Sequence, residues 1–575
     1  MLGIFISSLL VIEKRSRIVE VFSEEVQKLW NEWELRVLVL LSLLLQVILI
    51  FLGSRRKYMA TLWVRIVLWM SYLSADTVAT TALGALSHGQ GQPGSTELTT
   101  LWAPFLLLHL GGPDTITAYS LEDNELWLRH FLGLVQQVGI AVYVLIRSWT
   151  YSRVSILTIF MFVPGIVKYG ERTWVLRLAS KEHFRDSMLD RPDPGPNYAQ
   201  FMNDYDSKQA KGSRVTVGRI EDFQLEMLDE HEEAHQQKPN NPSNSIGSES
   251  NLTDAEVLPK AYEFFETFKR LFADLILSGD DWKKSREFFQ DTSSRTSFKV
   301  IEVELGFIYD LLYSKAALIY SLLGLILRCI SFSSIIILLV AFLTGDNHRY
   351  SNVDRIITYI LFIGALILEI YAIFVLTSSD WAFLYLSKHK LHIPVESINV
   401  LEKRLSSRKR WSNLVAQYNF LSVSVKDKPP KILPKVQRLL RVDKLLENYY
   451  YKYSKEVFFK CKELIFKELK RKSRKVDKIE DVKDLCTSRG DGVLGYNGHL
   501  QDKLKWSLND IEFDQSILLW HIATDLCYEC DNNVSPFTEL QRETSKLLSD
   551  YMLYLLIICP FTMPKGIGQI RFRDT

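Results

Sequence analysis

Six cysteines in 575 residues are too few and too scattered for the disulfide framework of a secreted scaffold. Only Cys527-Tyr-Glu-Cys530 has ligand spacing. With His521 it makes half a zinc site, and because no second pair follows at metal spacing, no metal is assigned. Net charge is also scarce. Lys and Arg number 69 against 67 Asp and Glu, which leaves +2, so no global field points to a nucleic-acid partner. The basic run Lys467–Lys475 is local and reads as a solvated helix end or a contact with anionic lipid. The apolar stretch Met1–Ile12 is too short to span a bilayer and has neither a basic leader nor a small-residue cleavage site, so it is expected as an interfacial helix. There is no Walker sequence, nucleophile elbow or HExxH motif. Gly490-Asp-Gly-Val-Leu-Gly495 has dinucleotide-loop spacing, but no apolar strand precedes it, and the match is attributed to chance. No cofactor and no catalytic residue is assigned.

What the chain does have is long apolar runs. A mean hydropathy of +0.01 hides two populations, charged soluble stretches and runs near the ~20 residues that a bilayer core demands. The length rule gives about seven spans, near 36–53, 63–85, 100–119, 131–147, 154–168, 317–343 and 355–378. The expected fold class is therefore all-α, a multi-pass helical membrane protein with helical cytosolic regions. Lys/Arg bias places the N-terminus outside: Ser54-Arg-Arg-Lys57, the trio Lys168, Arg172 and Arg177, and Lys388 and Lys390 all flank one side, whereas 87–100 carries no basic residue but histidine. Lys14, Arg15, Arg17, Arg147 and Arg153 pull the other way.

The expected organisation is an N-terminal segment (1–34), spans one to five (35–168), a cytosolic helical segment (169–316), spans six and seven (317–378) and a cytosolic helical region (379–575). Within 169–316, the Ser/Asn/Pro-rich stretch 230–257 cannot bury a core and is expected as a disordered linker. Helical periodicity resumes at Ala261–Leu277 and again around 435–475, 513–530 and 542–558, with Tyr551–Cys559 as a buried core helix. The sequons at Asn251 and Asn533 fall on the cytosolic side of this topology and are expected to stay bare.

Candidate functional residues come from ionisable groups at membrane depth, which are costly unless they face a bundle interior or water. The run Leu106-Leu-Leu-His-Leu-Gly-Gly-Pro-Asp114 begins as an apolar helix, then places His109 and Asp114 around a Gly-Gly-Pro break. Asp76 on span two and His109 on span three both lie roughly 15 Å deep at helical rise, so the intramembrane cluster Asp76, His109 and Asp114 is predicted, with Asp76 and His109 as partners. Arg328 and Glu369 differ in depth by about 5 Å and are predicted to pair. Each is read either as a structural lock or as part of a proton or ion pathway. Pro113 suits a helix start, which would either cap a kink through Asp114 or present free N–H groups to an anion. In the C-terminal region His521 and Asp525 lie four apart on one helix face and are expected as a polar pair, structural rather than acid–base.

Two long segments carry a family resemblance. Trp102-Ala-Pro-Phe-Leu-Leu-Leu-His-Leu-Gly-Gly-Pro-Asp-Thr, continuing to His130, and Val163-Pro-Gly-Ile-Val-Lys-Tyr-Gly-Glu-Arg-Thr-Trp174 resemble the plant family called domain of unknown function 4220. Leu519–Tyr528 and Leu547–Tyr554 resemble its usual partner, domain of unknown function 594. The resemblance implies a plant multi-pass membrane protein with a helical cytosolic tail, one that ends early relative to other members. It implies no activity and no catalytic residue. Three function classes follow: a non-enzymatic membrane protein that binds a cytosolic protein partner, a transporter or channel using Asp76, His109 and Asp114, and a membrane enzyme acting on lipid. Membrane lipid is the partner common to all three.

Overall fold

The computed structural model describes residues 24–59, 61–88, 96–188, 252–273, 275, 279–345, 349–388, 409–425, 451–474, 489–490, 502–530 and 536–559. The expected N-terminal interfacial helix, both sequon asparagines, Cys486 and the expected linker up to residue 251 lie outside them. The described residues belong to two compact units, one within Met1–Gly195, Leu252–Ser278 and Lys299–Trp411, the other within Pro196–Asn251, Gly279–Phe298 and Ser412–Thr575.

The first unit contains α1 (Glu24–Gly53), α2 (Leu62–His88), α3 (Trp102–Leu110), α4 (Trp127–Arg147), α5 (Arg153–Leu178), α6 (Asp254–Phe268), the part of α7 (Ser294–Tyr313) from Lys299 onward, α8 (Leu322–Leu343) and α9 (Asn352–Thr377). Among the described residues, six helices are long and apolar enough to cross a membrane: Trp33–Gly53 of α1, together with α2, α4, α5, α8 and α9. Their outer faces are apolar, with Trp63 77% exposed, Leu322 74% and Ile337 66%, whereas Lys315 is 0% exposed. Apolar groups outside and ions inside suit hydrocarbon as the solvent, because a buried ion finds partners only within the protein. The chain is an all-α multi-pass membrane protein.

The third expected span departs from a simple helix. α3 has nine residues, roughly 14 Å at helical rise and half of what a bilayer core requires. It ends because Gly112 adopts a left-handed φ of +65°, a conformation that favours glycine, and because Pro113 has no N–H to donate. From there the chain runs on without helix to Ser120. The freed backbone groups are covered by protein: Thr117 N–H donates to Tyr313 O at 2.9 Å, and Lys315 N–H donates to Asp114 O at 3.0 Å. Broken helices at membrane depth persist only under such cover.

Contacts at the two ends show that this broken segment still passes through the bundle. At one end Arg36 Nε lies 2.8 Å from Asp354 Oδ1, Thr100 and Ser148 hydroxyls are 2.7 Å apart, and Arg153 Nη2 donates to Thr344 Oγ1 at 2.9 Å. At the other end Arg56 Nη2 donates to Tyr119 O at 2.6 Å and Lys57 Nζ to Asp310 Oδ1 at 3.2 Å. Thr100 therefore sits at the first end and Tyr119 at the second. Span five also differs from expectation, since α5 continues to Leu178 rather than stopping at residue 168. At the end of the expected linker, Thr253 and Glu256 form a capping box that opens α6 at Asp254.

The second unit holds a two-stranded antiparallel sheet, β1 (Leu414–Gln417) with β2 (Tyr453–Glu456), in register Leu414 with Glu456. Its helices include α10 (Phe459–Ser473), α11 (Phe513–Cys530) and α12 (Pro536–Ile558). Tyr418, Tyr451 and Leu553 form its buried apolar centre.

Close packing of α3 on α5 fixes the broken segment. A Cβ on Gly165 would lie 2.8 Å from Pro104 O, and one on Gly111 would lie 2.6 Å from the Lys168 carbonyl carbon. Both obstacles are backbone and cannot swing away. Gly165→Ala is expected to destabilise the folded protein by about 1–3 kcal/mol, read as a lower temperature of aggregation in detergent. Gly139→Ala, which meets nothing within 4 Å, is expected to leave that temperature within a degree or two of the parent (a ΔΔG of ~0.5 kcal/mol or less). Equal behaviour of the two variants would refute the packing argument.

Candidate functional site in the membrane bundle

Lys168, Glu171 and Arg172 lie on α5 at positions i, i+3 and i+4, hence on one face. That face looks into the bundle, and all three side chains are buried. Opposite them stand Arg328 on α8, Glu369 on α9, Asp114 on the broken segment and Lys315 just before α8. Lys168 Nζ lies 2.8 Å from Glu369 Oε1 and 3.4 Å from Asp114 Oδ1. Arg328 donates through Nη1 to Glu369 Oε2 at 2.9 Å and through Nη2 to Asp114 Oδ2. Lys315 Nζ donates to Lys168 O at 3.2 Å and sits 3.5 Å from Glu171 and 3.7 Å from Asp114. Three cations thus meet three carboxylates, with no net charge. Desolvating each ion costs several kcal/mol, and only this mutual pairing with added hydrogen bonds offsets it.

A separate pair lies alongside. Arg172 takes Asp76 in a bidentate grip, at 2.7 and 3.1 Å, and also donates to Leu110 O at 2.9 Å. The expected Asp76–His109 pair therefore does not form. Depth is nearly as calculated, since Arg172 bridges Asp76 to the residue after His109. Helix rotation decides the partner: α2 turns Asp76 towards α5, whereas His109 Nδ1 shares a 2.9 Å hydrogen bond with Ser42 Oγ on α1. His109 Nε2 has no hydrogen-bond partner among the described residues.

The expected cluster of Asp76, His109 and Asp114 is thus divided. His109 and Asp114, with Gln46, Lys168 and Glu369, line a cavity offering about 40 Å³ to the centre of a water molecule; Asp76 is not among its walls. At about 10–15 Å³ per water, roughly three or four waters fit. A second cavity of about 90 Å³ by the same measure is lined by Lys57, Tyr309, Asp310, Ser379 and Trp381, and Asp114 and Ala372 belong to the walls of both. Arg328 and Glu369 meet as depth predicts, within a larger network. No helix starts at Pro113, because the chain stays irregular until Leu121, and the anion-binding reading loses its helix N-terminus.

In the second unit His521 and Asp525 share a buried face of α11 but are engaged with other partners. His521 Nε2 accepts the Phe420 N–H at 3.2 Å, and Nδ1 lies 3.1 Å from Ser549 Oγ. Asp525 binds Lys546, which also reaches Asp550 at 2.7 Å. Burial holds the His521 imidazole below its ordinary pKa. Burial works upward on Asp525, yet hydrogen bonds from Lys546 and Asn419 hold it below the usual carboxylate range. In place of the expected direct pair, Lys546 of α12 joins Asp525 to Asp550, whose Oδ1 lies 3.6 Å from His521 Nδ1. Cys527 and Cys530 are exposed, and among the described residues no group of three or more His, Cys, Asp or Glu could hold a metal ion.

Lys168, Glu171, Arg172 and Lys315 were not expected as site residues. By sequence Lys168 and Arg172 look like loop charges that set orientation, and their burial removes that support. The i, i+3, i+4 spacing within Val163–Trp174 was the available signal. Lys315 carried none, because its partners come from distant segments.

Because Glu369 also holds Lys168, and Arg328 also holds Asp114, exchanging Arg328 and Glu369 places like charges together. Glu369→Gln is expected to destabilise by about 3–5 kcal/mol, as breaking a buried pair does. The double variant Arg328→Glu/Glu369→Arg is expected to stay as unstable as either single exchange, judged by monodisperse yield in detergent. Full recovery would mean that the pair stands alone.

The family model described as a domain of unknown function (DUF4220) matches residues 69–424, which include the broken segment, α5, Arg328 and Glu369. No curated protein and no solved structure matches the chain. With more than half its length matched, including the whole ion network, the chain belongs to the DUF4220 family.

Proposed function

We propose that this protein is a transporter or channel whose bundle core moves protons, rather than a passive anchor. The observation that supports it is the position of Asp114, which lies in the wall of both cavities while three cations hold it. A carboxylate so placed couples a proton to structure: neutralising it releases Arg328, Lys168 and Lys315 from their common partner, and Glu369 and Glu171 then take more of their charge. The two cavities are too small in this conformation for a drug-sized solute, whose pockets run to about 300–1,000 Å³. Water and protons fit them. Chains of Asp, Glu and His at membrane depth serve this role in pumps and transporters, and discontinuous helices such as α3 occur at transporter sites.

The interaction reading, with a cytosolic protein partner for the C-terminal region, is the alternative outcome. The plant source and the likeness of that region to domain of unknown function 594 belong to the same proposal. The lipid-enzyme reading, which would use His109 or His521, has less to support it, since both nitrogens of His521 are occupied and the cavity beside His109 offers only about 40 Å³.

The test is proton flux into vesicles containing the purified full chain, driven by a potassium diffusion potential and read with an enclosed pH dye. We expect flux above that of empty vesicles and a loss of about tenfold or more in Asp114→Asn, the equivalent of at least about 1.4 kcal/mol. The lipid-facing change Ile337→Ala is expected to leave it unchanged. A parent chain no faster than empty vesicles, or an unaltered rate in Asp114→Asn, would return the network to a purely structural role.

A further inference from the structure

The two cavities follow one another along the bundle. The larger lies at the end where α1 finishes, beside Gly53, Lys57 and Asp310. The smaller continues from Asp114 and Ala372 past Ile50 and Gln46 to His109. Beyond His109, towards the end marked by Arg36 and Asp354, the interior changes character. Phe105 and Trp102 precede His109 by four and seven residues on α3, so they stand roughly 6 and 10 Å nearer that end. Both are fully buried, as are Leu98, Leu101, Leu361 and Phe362. Phe105 meets Phe362 edge-on at 4.9 Å between ring centres, and Trp102 Nε1 donates to Thr358 Oγ1 at 2.9 Å. Side chains packed in this way leave no room for a file of water.

From this sequence of cavity, histidine and apolar plug, we infer that the protein contains a one-sided aqueous path that carries protons from the Lys57–Asp310 end, past Asp114, to His109 Nε2, where it stops. Three observations carry it. Asp114 and Ala372 are common to the walls of both cavities, so the two cavities adjoin there and these two residues are the partition between them. The imidazole forms part of the cavity wall, is 2% exposed and lacks a partner at Nε2 among the described residues. An unpaired buried polar nitrogen is expensive, and the place of the imidazole in the cavity wall makes cavity water the partner we propose for it. The plug then accounts for the single entrance. Its opening is the step that a complete transport cycle adds, as alternating access requires. The inference rests on the proton-moving reading for its purpose, but the path can be measured without any flux.

The probe is silver ion, a thiol-binding cation small enough for a narrow wet path. Single cysteines are placed at His109→Cys, Ala365→Cys, Ala372→Cys and Leu101→Cys in a full-length chain whose six native cysteines are serine. Vesicles with the protein in known orientation receive silver on one face only, are quenched and denatured, and then react with a fluorescent maleimide. We expect silver to lower labelling of His109→Cys, Ala365→Cys and Ala372→Cys by about fivefold or more from the Lys57–Asp310 face and to leave it unchanged from the other. Leu101→Cys is expected to label fully after either treatment. Protection of the cavity positions from both faces, or from neither, would overturn the path. If His109→Cys does not fold, Ala365→Cys reads the same cavity. One-sided protection in a chain without flux would preserve the path and reject transport. Flux without one-sided protection would do the reverse.

Discussion

Asp114 is the point at which cations from three parts of the bundle meet one carboxylate. Its carboxylate binds Arg328 of α8, Lys168 of α5 and, at longer range, Lys315. Its backbone carbonyl accepts from Lys315 N–H. The segment carrying it has no helix of its own to stabilise it, so its position depends on these bonds. In hydrocarbon the constraint is severe, because a carboxylate without partners there has neither water nor protein to solvate it. The broken helix and the ion network therefore require each other: the break brings Asp114 and its backbone to the bundle axis, and the cations make that location tolerable.

The same constraint explains the distribution of residue types along α5. A helix at the centre of a soluble bundle would bury leucine and valine at Lys168, Glu171 and Arg172. Here the outward face carries Ile159, Phe160 and Val163, exposed to the hydrocarbon, and the inward face carries charge in its second half. Its first half buries Val154, Leu157 and Met161. Polarity thus changes along the helix at about the level of His109. One end of the bundle is an apolar plug and the other an ionic interior with cavities, and this asymmetry gives the molecule a direction.

Much of this architecture is legible in the sequence because it follows from length and hydropathy. The apolar runs locate five helices to within about five residues and the start, though not the end, of a sixth, α5, and the run at 100–119 does pass from one end of the bundle to the other. Gly112 and Pro113 mark where its helix stops, since one takes a left-handed φ and the other has no N–H. Depth arithmetic brings Arg328 to Glu369. It fails for Asp76 and His109 because rise along an axis says nothing about rotation around it, and two groups at one level can face different neighbours. Lys315 shows another limit. It lies outside every apolar run, and only the packing of the turn before α8 makes it fully buried. The charges on α5 mislead for a related reason: a basic residue near the end of a hydrophobic run looks like a loop anchor unless its helix continues, as α5 does to Leu178.

The central claim is that the ions of the bundle act as one coupled unit centred on Asp114. A double-mutant cycle between Asp114→Asn and Arg328→Gln, measured as unfolding free energy in bicelles, tests it most directly. The account predicts that the double variant loses less stability than the two single losses together, with a coupling energy of about 1 kcal/mol or more. Additivity within about 0.5 kcal/mol would contradict it.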